Sequence, residues 1–289
     1  MTAPDAGRGG PAPGFVDLHM HSTASDGALP PTKVVEAASA ARLAAIALTD
    51  HDTVDGVAEA QSAGERLGVR VVAGVELSAV EGNSETHVLG LHLDRVAELQ
   101  ARLQDLRRMR VARAERIVQR LNELGITITM SDVMEQAGGG AVGRPHVARA
   151  MMAHGWVADS REAFDRYLGY GRPAFMAKDR LAMTDAIAMI HDAGGIAVLA
   201  HPGDSGRRAR IEALAAMGLD GIEVRHPGHS PEDLVRLAAL AEHFGLVPSG
   251  GSDWHGTNDR ARSIGMMEVP AAWLERQDER VAQRRAART

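Results

Sequence analysis

The residues that could do chemistry fall in short bursts. Asp17-Leu18-His19-Met20-His21-Ser22 comes first, with Asp26 just beyond it. Thr49-Asp50-His51-Asp52, Gly74-Val75-Glu76, a lone His87, His201-Pro202, Glu223 to His226 with His229 beyond, and Ser252-Asp253-Trp254-His255 follow in order. Imidazole and carboxylate donors suit Zn, Mn or Fe. The chain has no cysteine, which excludes disulfides, thiolate zinc sites, iron–sulfur clusters and cysteine nucleophiles together. His19-x-His21 on a strand places both side chains on one face, because side chains alternate with period two, so two nitrogens can grip one ion. A carboxylate such as Glu76 has two oxygens and can bridge two ions about 3.5–4 Å apart. A flanking carboxylate can orient the His51 ring. Asp17 and Asp50 read equally as such partners or as turn and cap residues, and Asp52 reads as the N-cap of a helix at Val54. Asp26 by itself reads as part of an Asp-Gly turn.

Nearly every burst follows an apolar run. Candidate strands are Phe15–Leu18, Ala44–Leu48, Val69–Val75, His87–Leu93, Ile196–Ala200, Gly221–Val224 and Leu246–Pro248. Most are continuous apolar runs, the pattern of a parallel sheet covered on both faces. Amphipathic stretches separate them: Thr32–Arg42, Val54–Leu67, Thr184–Ala193, Arg208–Met217 and Pro231–Phe244, with Thr32 and Thr184 as expected N-caps. Strand–helix alternation predicts an α/β fold, a barrel or a doubly wound sheet. In an α/β barrel the active site is assembled at the C-terminal strand ends, where the bursts fall. His87 begins its run rather than ending it, so spacing alone does not bring it to that rim.

The rhythm breaks between about Asp94 and Arg180. A charged helix is predicted over Val96–Leu124, then a Gly138–Gly140 turn, a helix from Pro145 and another near Arg161–Leu168. The expected organisation is a flexible leader at 1–14, a barrel at 15–94 and 180–270, a helical insertion at 95–179 capping the site, and a charged C-terminal helix or tail at 271–289 whose arginines read as a solvated face. The leader lacks the basic and apolar regions of a signal peptide, and no apolar run is long enough to span a membrane, so a cytoplasmic location is expected. Aromatics are 3% of residues and the formal net charge is −6. Both argue against gripping long nucleic acid, which needs cationic contacts and stacking platforms.

Five of these elements in order, Asp17 to Ser22, Thr49 to Asp52, Gly74-x-Glu76, His201-Pro202 and Ser252-Asp253-x-His255, resemble the ordered motifs of the PHP (polymerase and histidinol phosphatase) family over roughly Phe15 to Val269. Arg144-Pro145-His146, the helical insertion and Ile222 to His229 bring the chain nearest to the bacterial members that act on nucleotides. Arg225 stands where that subgroup usually has an aromatic residue before His226. The resemblance implies a distorted (β/α)7 barrel with an inserted helical subdomain and three divalent transition-metal ions (Mn, Fe or Zn). Carried over, one ion takes His19, His21, Glu76 and Asp253. A second shares Glu76 and adds His87 and His201, and a third takes Asp26, His51 and His255.

The expected function is metal-dependent hydrolysis of phosphate monoesters. A hydroxide bridging the ions would attack phosphorus, Asp253 would orient the nucleophile, and a protonated His201, His226 or a metal-bound water would serve the leaving group, a choice the sequence leaves open. Arg144, Lys178, His226 and His229 are the expected phosphate contacts. Arg225 is a weaker candidate, its side chain alternating away from the mouth, and Glu223 reads as a partner of a ligand or of an insertion arginine. The favoured substrate is a small phosphorylated molecule, a nucleoside 3′,5′-bisphosphate or monophosphate or the 5′ end of short RNA. Histidinol phosphate or another small monoester is the alternative within the class, and a non-catalytic binding module the alternative outside it. The sequence leaves the oligomeric state open.

Overall fold

The computed structural model describes residues 14–82, 84–138, 142–176, 181–256 and 262–287. Seven strands, β1 (Phe15–Met20), β2 (Ala45–Leu48), β3 (Arg70–Glu81), β4 (Ser84–Leu91), β5 (Ile196–Leu199), β6 (Gly221–Arg225) and β7 (Val247–Gly250), build the wall in chain order. A short β8 (Val269–Pro270) adds antiparallel to the outer side of β1. Helices α1 (Pro31–Ala40), α2 (Val57–Leu67), α7 (Met183–Asp192), α8 (Arg208–Ala216) and α9 (Pro231–His243) surround it. Between β4 and β5 lie α3 (Val96–Glu123), α4 (Met130–Ala137), α5 (Arg144–Ala153) and α6 (Ser160–Ala163), and α10 (Ala271–Ala286) follows β8. Near the C-terminal strand ends the wall turns back on β1: the Asp253 amide donates to the His19 carbonyl (3.0 Å) and the His21 amide to that of Trp254 (3.0 Å). The result is a nearly closed α/β barrel.

Two strands depart from the expected parallel pattern. β3 continues past Glu76 to Glu81 and turns into β4, which runs antiparallel to both β3 and β5. Reversal carries the start of β4 to the rim that the other strands reach with their ends, and His87 stands opposite Ser78 there. β1 changes register between Asp17 and Met20. Val16 and Leu18 pack in the barrel interior with Ala45, Ala47, Leu89, Leu91 and Val198. Met20 packs outward with Ile46 and Leu48, so the irregularity switches phase and lets His19 and His21 reach the centre.

α10 is not a solvated tail. Leu274, Gln277 and Val281 are buried, and Leu274 and Val281 join the interior cluster. Two of its arginines pair with carboxylates of other elements: Arg284 with buried Asp220 at 2.9 Å and Arg285 with Asp94 at 3.1 Å. The caps also differ. Pro30 and Ala182 occupy the positions expected for Thr32 and Thr184. Pro31 opens α1, where its fixed φ suits the first turn, and the Thr32 hydroxyl instead donates to Glu59 at 2.6 Å.

The α3–α6 region has an apolar core of its own, built on Ile117, Leu121, Ile128, Val133, Val147, Met151 and Leu168. α3 joins the two cores: Leu99 and Leu103 pack with the barrel, Ile117 and Leu121 with the insertion. Gly138 ends α4 with φ of 57°, and the rest of the expected glycine turn lies outside the described residues, as does Lys178. No helix among the described residues is long and apolar enough to cross a membrane.

Candidate metal centre

Glu76 organises the rim. It is 1% exposed, and its two oxygens serve different neighbours. Oε1 lies 2.9 Å from His87 Nδ1 and 3.1 Å from His201 Nε2. Oε2 lies 3.2 Å from His19 Nε2, 3.3 Å from His21 Nε2 and 3.3 Å from His51 Nδ1. Asp253 Oδ1 completes the second group, 3.1 Å from His21 Nε2 and 3.5 Å from His19 Nε2. Further out, Asp26 Oδ1 is 3.4 Å from His255 Nε2 and 3.6 Å from His21 Nδ1, and its Oδ2 is 3.8 Å from His51 Nε2. Three sets of donor atoms therefore converge: His19, His21, Glu76 and Asp253; His51, Glu76 and His87, with His201 beside them; and His21, Asp26, His51 and His255. His21 contributes to two of them and His51 stands between two.

Hydrogen bonds fix which ring nitrogens face inward. His19 Nδ1 donates to Glu223 Oε1 at 3.0 Å, which leaves the Nε2 lone pair for the centre, and Glu223 Oε2 accepts the His201 amide at 2.7 Å. This resolves the open reading of Glu223: it orients a rim imidazole, not an insertion arginine. His255 Nδ1 donates to the Asp253 carbonyl at 2.8 Å, again freeing Nε2. His226 accepts the Gly228 amide at Nδ1 (3.0 Å), so its proton sits on Nε2, 3.4 Å from Asp253 Oδ2. Arg262, which nothing in the sequence pattern singles out, reaches the same Oδ2 and the Asp253 carbonyl.

The surrounding backbone is shaped for these positions. Asp52, His201 and Asp253 all have positive φ (51°, 28° and 50°), strain of the kind found at sites where side-chain direction matters. A Cβ on Gly251 would lie 2.4 Å from His19 Cβ, so only glycine lets the last strand pass there. Asp50 accepts from the Ser22 amide, the Ser22 hydroxyl and the Ser25 hydroxyl, each at 2.7 Å, and so folds the loop that carries Asp26. Asp17 accepts from the Ser252 and Gly265 amides at 2.9 Å. Asp52 is not a helix cap. The position before α2 is Gly56, and the Asp52 carboxylate takes the Ser78 amide and hydroxyl at 3.0 Å and Arg110 at 2.8 Å.

The donor set fits divalent ions. Both His21 nitrogens are buried, and although carboxylate oxygens lie 3.1 to 3.6 Å away, none is aligned for a hydrogen bond, an arrangement that suits a cation between them. Burial disfavours charge on the carboxylates, yet neighbouring imidazoles hold Glu76, Asp26 and Asp253 well below the usual carboxylate range. Burial likewise lowers the His21 pKa, but Asp253 and Glu76 outweigh it and raise the ring to about 9. The protons on such rings occupy the places that cations would take.

The expected phosphate contacts divide. His226 is at the centre. His229 uses both nitrogens on backbone, Nδ1 toward the Val224 carbonyl (2.8 Å) and Nε2 accepting the Gly203 amide (3.2 Å), so it ties two rim loops together and presents no free nitrogen. Arg144 donates to the Leu168 carbonyl at 3.1 Å and lies over the Phe164 and Phe175 rings. Arg225 turns to the β8 side, donating to the Met267 carbonyl at 3.0 Å and lying over Trp273.

Comparison with known proteins agrees with this geometry. The family model for the PHP domain matches residues 17–193. A 3′,5′-nucleoside bisphosphate phosphatase of Chromobacterium violaceum is 39% identical over 261 residues, 88% of this chain and 91% of that one. A 5′-3′ exoribonuclease of Haemophilus influenzae is 38% identical over 265 residues, 90% and 92% of the two chains. Among solved structures, a protein of Bifidobacterium adolescentis assigned as a metal-dependent phosphoesterase superposes with a TM-score of 0.72 at 32% identity, over 93% of this chain and 96% of that one. An amidohydrolase of C. violaceum with bound sulfate gives 0.69 at 34%, with the same coverage. With the motifs in order, the donor atoms converged at one rim and this breadth of similarity, the chain belongs to the PHP domain family.

Proposed function

We propose that the protein is a metal-dependent phosphoesterase that hydrolyses phosphate monoesters of nucleotides. Its substrates are a nucleoside 3′,5′-bisphosphate or monophosphate, with 5′-3′ action on short RNA within the same chemistry. One observation carries the reading: the two oxygens of Glu76 face two separate groups of imidazoles, the arrangement of a carboxylate that bridges ions.

Three divalent ions drawn from Mn, Fe and Zn would be held by His19, His21, Glu76 and Asp253, by Glu76, His87 and His201, and by Asp26, His51 and His255. When bound, they supply a nucleophile from water at neutral pH and neutralise phosphoryl charge. The chain's own residues do the rest. Glu223 holds His19 in the tautomer that presents Nε2. Asp253 turns one oxygen to the centre and the other to His226. The His226 Nε2 proton and the Asp253 carboxylate form a pair able to move a proton between nucleophile and leaving oxygen. The relatives that act on nucleotides or RNA, and the insertion beside the rim, favour a nucleotide over histidinol phosphate.

The test is release of inorganic phosphate with Mn added, across adenosine 3′,5′-bisphosphate, AMP and histidinol phosphate. Turnover of the nucleotides is expected. Turnover confined to histidinol phosphate would reverse the substrate, and absence of both turnover and bound metal would leave a binding module.

A further inference from the structure

Beyond Glu76 the β3–β4 hairpin overhangs the wall. β4 pairs with β5 only from Val88 to Leu91, with one more bond from the Ala200 amide to the His87 carbonyl (3.1 Å). Among the described residues, Ser84 to Thr86 have a strand neighbour on the β3 side alone. A ladder is what fixes the spacing of neighbouring strands, so here something else must set the distance between the hairpin and the chain that leaves β5. Arg210 of α8 lies across that gap. Its Nε donates to Glu81 Oε2 at 2.7 Å, its Nη2 to Thr86 Oγ1 at 2.8 Å and its Nη1 to Ser205 Oγ. Thr86 precedes His87. Ser205 closes the turn Gly203–Ser205 after His201-Pro202, and its hydroxyl donates to the Pro202 carbonyl at 2.6 Å. One half-buried guanidinium thus joins the segment that bears His87 to the segment that bears His201. Those two rings meet on Glu76 Oε1, at 2.9 and 3.1 Å, and stand 3.3 Å from each other.

Resting on the metal-dependent phosphoesterase reading, we infer that Arg210 is a positioning residue for the ion shared by Glu76, His87 and His201. Its fork sets the separation of the two imidazoles and touches neither ion nor substrate. Three donors in a rigid plane suit acceptors on three segments, a span that the single nitrogen of lysine does not cover. Other tethers leave this task to Arg210. Arg236 of α9 donates to the Gly203 carbonyl at 2.9 Å, which steadies the turn after His201 but not the hairpin. The Val80 amide donates to the Leu181 carbonyl at 2.8 Å, which holds the opposite edge of the hairpin. Without Arg210 the hairpin keeps that anchor and its β3–β4 ladder, and loses only its link to the His201 turn. The ligands of the other ions have separate supports: Glu223 for His19, and Asp50 for the loop of Asp26.

Metal binding tests this without turnover. The full chain, stripped by chelator, is titrated with Mn, and bound ions are counted by elemental analysis. At the free Mn concentration that just fills the wild-type sites, Arg210→Ala should hold one ion fewer, with the dissociation constant of that ion raised on the order of tenfold. Arg210→Lys should restore part of the loss. Thr86→Val and Ser205→Ala each cut one arm of the fork with Arg210 in place, and each should weaken the same ion by less. His87→Ala identifies the site: the double variant with Arg210→Ala should lose no more metal than His87→Ala alone. Equal ion counts and affinities in wild type and Arg210→Ala overturn the inference, and so does an equal weakening of all the ions, which would mark a general loss of structure. Selective loss of one ion from a protein whose wild type releases no phosphate overturns the hydrolase reading and leaves the role of Arg210 standing.

Discussion

The rim of the barrel and the helical insertion put charge to opposite uses. At the rim, His19, His21 and Glu76 are almost wholly buried, the His19 and His255 rings are each held by a second hydrogen bond, and carboxylates face imidazoles. In the insertion the charged groups near the groove that separates it from the rim are half-buried or exposed; Arg144 and Arg149 hold carbonyls and Arg110 holds the Asp52 carboxylate. A cluster meant to hold cations needs donors placed before the ion arrives. A surface meant to recognise a variable anion needs only charge of the right sign within reach. The difference teaches where to expect loss of chemistry and where loss of discrimination.

The sharpest way to break the comparison is Glu76→Gln. It removes the charge and one of the two ligand oxygens while keeping the volume. Turnover should fall about a thousandfold or more, with loss of tightly bound metal by elemental analysis. Full metal content with full activity would remove Glu76 from the centre. Metal loading should also depend on pH with a definite sign. His21 without metal titrates at about 9, so below that value an ion must displace a proton. Affinity therefore rises as pH rises toward 9, and falls about tenfold per unit below it for each proton displaced. Calorimetry in buffers of different ionisation enthalpy counts those protons; a count of zero at pH 7 contradicts the reading.

Glu223→Gln should give a smaller loss, about tenfold to a hundredfold in metal affinity or turnover. Glutamine still accepts from His19 Nδ1, but the negative charge that raises the ring's basicity is gone. Asp52→Ala lies lower again in its effect on chemistry. It frees the Ser78 amide and leaves Arg110 without its carboxylate, so thermal stability should drop by about 3 kcal/mol while turnover per folded molecule changes only severalfold. A loss of turnover as large as that of Glu76→Gln would place Asp52 among the reacting groups.

The parts of the fold legible in the sequence were those set by period and position. Strand ends rich in His and Asp announced the rim, and the apolar stripe of α3 was expected over Val96–Leu124 and spans Val96–Glu123. What stayed hidden depended on direction and on distant partners. Read as a parallel strand, the run at His87 put the histidine at the wrong end; the signal for reversal was Gly82-Asn83 between Glu81 and Ser84, a turn between two strand patterns. Glu223 could not be assigned because its partner, His19, is 204 residues away. Asp52 looked like a cap because it precedes a helical stretch, and only the fold brings Ser78 and Arg110 to it. The C-terminal arginines looked solvated because the carboxylates they meet, Asp220 and Asp94, lie on other elements.

The smallest expected effect on chemistry is also the most direct probe of the contrast. Leu121 is fully buried in the insertion core, far along α3 from Leu99 and Leu103, which belong to the barrel core. The changeover falls near Arg107 and Arg110, where α3 is pinned to Asp55 and Asp52. Leu121→Ala should cost about 2–5 kcal/mol through lost contacts and a residual cavity. Because the two cores are distinct, that cost should appear as faster hydrogen exchange in the C-terminal half of α3, α4 and α5. Exchange in β1 to β3, metal content and turnover of a small monoester should stay near wild type, while the preference for a nucleotide over that monoester weakens. Equal loss of protection in both regions would mean that one cooperative unit carries both centre and insertion. The separation of catalysis from discrimination would then be one of side chains only, with no counterpart in the packing.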